Sequence, residues 1–211
     1  MTPCQPSALA RAFAIVALAA LAAASGCSLT RPAPVMETYL LEPALPAPVA
    51  HTQAGSLRVG SVNVAAAYRL RSFVVRESDL KFESDFYHEF FVPPAVMIAD
   101  ATARALAVAK VFTHVARPGA SVDADWILEG FVGALYADAR DAAKPLAVIQ
   151  VTYYLSRDNG GADAPVWSKA YRRQVPFVPG TLSYVNALNA GLSEILAELA
   201  TDLAAAELPA R

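Results

Sequence analysis

The chain has 211 residues, with 17 Lys and Arg against 19 Asp and Glu, for a formal net charge of −2 at pH 7. Without a basic block, that balance argues against a nucleic-acid partner. Apolar residues make up 55% of the sequence, enough to fill the core of one domain even after an N-terminal leader is set aside.

The leader comes first. Arg11 precedes an unbroken apolar run from Ala12 to Ala24, which suits a signal-peptide core and falls short of the roughly 20 residues of a spanning helix. Ala24-Ser25-Gly26 then puts small side chains ahead of Cys27, a lipobox arrangement in which Ala24 stands where Leu is usual. The expectation is a signal peptide over 1–26, cut before Cys27. Its thiol then carries diacylglycerol and its new amino group an acyl chain such as palmitate. A plain secretory cut nearby is the alternative, leaving Cys27 an ordinary thiol. Cys4 departs with the leader, so no intramolecular disulfide can form and the core alone must hold the domain.

From Ser28 to Ser56 the chain is punctuated by Pro32, Pro34, Pro43, Pro46 and Pro48, so 27–56 reads as a lipidated, semi-rigid tether. Within it, Glu37–Glu42 has the look of a short edge strand. Leu57–Val64 alternates as a half-buried strand. Ser72–Arg76 and Leu80–Phe86, separated by Glu77-Ser78-Asp79, read as a hairpin. Pro93-Pro94 stops extended pairing and pre-sets a helix over Val96–Lys110, with Asp100 and Arg104 spaced to pair. Val111–Ala116 is a short strand.

Three long β segments follow: Asp125–Ala137, Leu146–Ser156 and Val166–Val178. Their connections are too short for a crossover helix, so they form an antiparallel meander. The middle segment places Ala147, Ile149, Val151, Tyr153 and Leu155 on one face. Gly180-Thr181 opens the last helix with Thr181 as N-cap, and Val185, Leu188, Leu192, Ile195, Leu196, Leu199 and Leu203 form the stripe that packs on the sheet. The fold class is α+β: one domain over 57–211, an antiparallel sheet with two main helices on one face.

Catalytic and metal signatures are not found. His51, His88 and His114 are scattered, His88-Glu89 lacks the second histidine of a zinc-protease helix, and no G-x-S-x-G, phosphate-cradling glycine loop or C-x-x-C occurs. Asp79, Glu83, Asp85 and Glu89 alternate along a strand as a solvated face. The expectation is therefore no enzyme, no metal and no cofactor beyond the lipid on Cys27. Tyr87, Phe90, Phe91, Val92, Pro93 and Pro94 allow two readings, a plug for one end of the core or a patch facing a partner or lipid. Phe90 and Phe91 are the first candidate contact residues, followed by the exposed sides of Trp167 and Tyr171.

The order and spacing of several motifs resemble the ABC-type transport auxiliary lipoproteins, the PqiC/YmbA-like group, over nearly all of the mature chain. They are Cys27, Tyr39-Leu40-Leu41, Leu57–Val64 leading to Tyr68-Arg69-Leu70, and Phe73-Val74-Val75-Arg76. Tyr87-His88-Glu89-Phe90, Ala124-Asp125-Trp126-Ile127-Leu128-Glu129-Gly130 and the helix from Thr181 complete the set. One departure is Phe90-Phe91-Val92-Pro93-Pro94, where many relatives carry a Trp-Ala-Glu/Pro pattern. The resemblance implies an accessory of an MCE-type ABC system that moves phospholipids or other hydrophobic molecules through the envelope. Its partners would be an MCE-domain protein, the permease and ATPase, and membrane lipid, with homo-oligomers left open. Ser28, where an Asp would favour inner-membrane retention, points to the outer membrane, facing the periplasm. The rival reading is a lipoprotein activator or assembly factor of peptidoglycan or outer-membrane machinery.

Overall fold

The computed structural model describes residues 35–158 and 164–209. The expected leader, Cys27 and Ser28 lie outside the described residues. In chain order the elements are β1 (Glu37–Tyr39), β2 (Gln53–Val64), a single 3-10 turn (Ala66–Tyr68), β3 (Ser72–Arg76), β4 (Phe82–Phe90) and α1 (Pro94–Ala109). They continue with β5 (Phe112–Ala116), β6 (Trp126–Asp138), β7 (Leu146–Arg157), β8 (Trp167–Pro176) and α2 (Thr181–Ala205).

The meander is the backbone of the fold. β6 pairs with β7 along its whole length and β7 with β8, both antiparallel. The other edge of β6 is shared between two strands. Its first half takes β2 in parallel, from Leu57 opposite Trp126 to Val64 opposite Val132, and its far end takes β3 at Val75–Ala137 and Arg76–Asp138. β5 extends the sheet beyond β2, and β4 and β1 extend it beyond β3. The fold is α+β as the sequence indicates, and its longest ladders are antiparallel. The β2–β5 and β2–β6 pairings are parallel, because the connection between their strands contains α1 and is long enough to cross over.

A bulge at Gly133 divides β6 into two phases. Before it, Trp126, Leu128 and Val132 face the helices; after it, Leu135 and Ala137 do, while Ala134 and Tyr136 turn to the opposite face. One strand thereby serves two neighbours and keeps its apolar residues covered, Phe131 excepted.

α1 packs over β2 and β5, α2 over β7 and β8, and the helices meet over one common core. Close approach of α2 depends on Gly191. A Cβ there would stand 3.2 Å from Ile149 and 3.3 Å from Val175 and Arg173. Inside the core, the Thr102 hydroxyl donates to the Ile98 carbonyl at 2.7 Å and lies 2.8 Å from the Tyr153 hydroxyl, so two buried polar groups satisfy each other.

The outer flank of α2 faces solvent in part, yet its Glu194 and Glu198 are tied to β8 by ion pairs. Residues two apart on β8 climb in step with residues four apart on α2, about 6–7 Å in each case. Lys169 therefore reaches Glu198 (3.0 Å) and Asp202 (2.7 Å), and Arg173 reaches Glu194 (2.8 Å) and Glu198 (2.5 Å). Likewise, Thr181 is not the cap: Gly180 occupies that position and no side chain caps the first turn.

Nor is the Pro-rich stretch a free tether to Ser56. Leu41 and Pro43 are buried. The Glu42 amide donates to Asn189 and the Ala44 amide to Ser193, each at 2.8 Å, and the Val49 amide donates to the Ala109 carbonyl at 2.8 Å. Proline denies this segment a place in the sheet, yet its remaining amides and apolar side chains strap it across both helices. Met36–Arg211 form one compact unit that contains the whole core.

Candidate functional site

Two loops meet the strands β3 and β4 at the end of the sheet where α2 begins, and between them lies an open cleft of about 350 Å³. That size falls within the range of small-molecule sites. One wall is Phe73 and Val75 of β3, backed by Ala137 at the end of β6. The β6–β7 loop contributes Ala142 and Pro145, and the β8–α2 connection contributes Phe177, Pro179 and Gly180. Local sequence explains the shape. Pro176 and Pro179 prevent β8 from continuing, and the Phe177 amide is held by the Pro145 carbonyl at 3.1 Å. Gly180 then turns at φ 141°, a conformation open to glycine alone, with free space where a side chain would be.

The polar groups are few: Asp85, Thr181 and Tyr184. Tyr184 is 4% exposed, its ring packed edge-on against Phe73 (centroids 5.3 Å apart) and tilted against Phe177 (5.5 Å). Its hydroxyl is buried and has no hydrogen-bond partner among the described residues. Burial pushes that phenol well above its ordinary value, so it stays protonated and remains an unused donor. Burial also pushes the Asp85 carboxyl up, but the bonds it accepts from the Tyr87 and His88 amides (2.8 and 3.1 Å) and its 2.7 Å contact with His88 Nδ1 outweigh this. They hold it below the usual carboxylate range.

The fold has been seen before. A crystal structure of protein XCC0632 from Xanthomonas campestris, of the family DUF330, matches with a TM-score of 0.70 at 19% identity, covering 80% of this chain and 95% of that one. A crystal structure of an uncharacterized protein matches with a TM-score of 0.61 at 15% identity, covering 79% and 97%. PelC from Paraburkholderia phytofirmans, a dodecamer, matches at 19% identity over 74% of this chain and 93% of that one, with a TM-score of 0.37, too loose to carry any property across. No protein-family model and no curated protein matches the chain. At these identities the likeness is one of fold.

The four residues singled out as contacts are scattered. Phe90 is the last residue of β4, 2% exposed and stacked edge-on against Phe73 at 4.6 Å; it is core, because the strand runs on to include it. Tyr171 is also core, 2% exposed, with its hydroxyl donating to Asp202 at 2.7 Å. Trp167 shares its side of β8, the side that α2 covers, and is half-buried against the core. Phe91 alone is exposed as expected, at 57%.

The acidic run also behaves differently from a bare solvated face, since Asp79 pairs with Arg76 and Arg140, and Asp85 with His88. Among the described residues, no three His, Cys, Asp or Glu are grouped to hold a metal, and no helix is long and apolar enough to cross a membrane. Sequence reasoning missed Tyr184. The available signal was its spacing: it lies four residues before Leu188 and so on the buried stripe of α2.

Proposed function

We propose that this chain is a membrane-anchored, periplasm-facing auxiliary component of an MCE-type ABC system that moves phospholipids or other hydrophobic molecules through the envelope. It works by binding and not by catalysis, and Cys27 holds it by lipid, in the outer membrane. The observation that carries the reading is the cleft. A wall of Phe73, Val75, Phe177, Pro145 and Pro179 suits a hydrophobic cargo or partner and offers little to a charged metabolite. The motif order from Tyr39 to the last helix, which resembles the auxiliary lipoproteins, supports the same reading.

The test is a crosslinking pull-down from native membranes, with lipid extracted from the purified complex. Recovery of an MCE-domain protein with its permease is the expected result. Recovery of a cell-wall synthase without any transporter component would overturn the proposal in favour of an envelope activator.

A further inference from the structure

We infer that the cleft between the β3–β4 hairpin and the start of α2 is a binding site for a single acyl chain, whose carbonyl accepts the Tyr184 hydroxyl. Two independent observations meet there. The first is composition: the walls come from phenylalanine, valine, alanine and proline, which an alkyl chain wets and water does not. The second is a donor without an acceptor. Tyr184 lines the cleft, and its hydroxyl is buried with no partner among the described residues, an arrangement native proteins keep rare. An acyl carbonyl supplies what the fold withholds.

The surroundings narrow the ligand further. Gly180 and Thr181, the uncapped start of α2, border the same cleft, and the free amides of a helix's first turn favour an oxygen acceptor. Asp85, on the opposite wall, carries negative charge. It disfavours a bare carboxylate and suits the ammonium end of a zwitterionic headgroup. Large apolar side chains adjoin the lining residues in sequence and face solvent: Phe86 at 84%, Val178 at 70% and Leu182 at 64%. Such exposure belongs with ligands that arrive from a lipid phase.

The shared chemistry is an alkyl chain ending in a carbonyl, and it has two sources, a free fatty acid or an ester-linked phospholipid. The inference deepens the transport reading, on which its biological role rests. Its test uses the Met36–Arg211 unit alone, so that the two can fail separately. Palmitate and palmitoyl-lysophosphatidylcholine, each below its micellar concentration, displace a dansyl-labelled undecanoic acid from the protein. One saturable site per chain is expected, with the lysophospholipid the tighter ligand; tighter palmitate reassigns the source to free fatty acid and supports the same site.

Tyr184→Phe keeps the ring and is expected to weaken binding about 3- to 10-fold, the worth of one hydrogen bond. Ala142→Trp, on the exposed rim, fills the cleft without disturbing the core and is expected to abolish binding. No displacement by either lipid overturns the inference. So does binding that both substitutions leave unchanged. Binding found alongside a pull-down without transporter components would keep the site and remove the transport reading; the converse would keep transport and remove the site.

Discussion

Tyr184→Phe should make the ligand-free protein more stable, against the usual direction of core substitutions. The change removes one oxygen and leaves the ring, with its contacts to Phe73 at 5.3 Å and Phe177 at 5.5 Å, in place. In the wild type that oxygen is buried without a partner among the described residues. Leaving such a group unsatisfied costs about 1–3 kcal/mol, and Phe does not incur that cost. For a unit of this size each kcal/mol moves the thermal midpoint by roughly 2–4 °C, so a rise of about 2–12 °C is expected. Urea unfolding of Met36–Arg211 is the cleaner assay: the midpoint should rise with an unchanged slope.

The gain should grow in alkali. The folded phenol is held above its ordinary value of 10, so wild-type stability is intact below that value and falls as the unfolded chain ionises above it. The variant lacks this loss. A variant less stable by 1 kcal/mol or more would mean that the hydroxyl has a partner in the folded chain, and would remove the donor on which the acyl-chain site depends.

Other outcomes follow from the same structure. Leu192 is fully buried in the stripe of α2, so Leu192→Ala should cost about 2–5 kcal/mol, read by calorimetry; an unmoved midpoint would mean the stripe is not packed. Tyr171→Phe should cost about 1–2 kcal/mol by breaking the bond to Asp202, measured by urea unfolding against the Asp202→Asn variant. Asp138 is held below the usual carboxylate range, first by hydrogen bonds from Arg140, so its contribution is present above about pH 4 and lost as pH falls through its folded value. Asp138→Asn should therefore lower stability at pH 7, and the difference from wild type should shrink as the pH falls through the folded value. Cys27→Ser should leave the domain folded and release it from membranes, and a wild-type N-terminus without lipid in a mass spectrum would contradict the anchoring.

Much of the fold is legible because local pattern determines it. Alternation from Ala147 to Leu155 marks β7 and its buried face, turn residues mark the β3–β4 hairpin, and Pro93-Pro94 marks the start of α1. Even the shift between Val59 and Val62 in β2 shows in the spacing of its valines. Partners distant in sequence leave no such trace. Nothing local tells β2 to lie beside β6, or tells Glu42 to meet Asn189. The contact residues went astray for a related reason. Tyr171 and Trp167 have the right period for a strand, but which face α2 covers is decided by α2, and the Gly133 bulge resets the phase partway along the neighbouring β6. The cleft is less legible still, since Phe73, Pro145 and Tyr184 come from a strand, a loop and a helix far apart in sequence and meet only in the finished fold.

The strap over the helices also bears on how the chain acquires its structure. Glu42 takes its acceptor from a residue 147 positions later, and Gln53 holds the Ala206 carbonyl 153 positions away. The first part of the domain to be made thus docks on the last. Until α2 is complete, the Glu42 and Ala44 amides lack their acceptors and the face of β7 and β8 that α2 covers lies bare, so no N-terminal fragment is a folding unit. Contacts this remote slow the search for the native state and make its loss abrupt. A stop codon before residue 189 should therefore yield no shortened domain but an unfolded chain, and heat should melt sheet, helices and strap together in one transition.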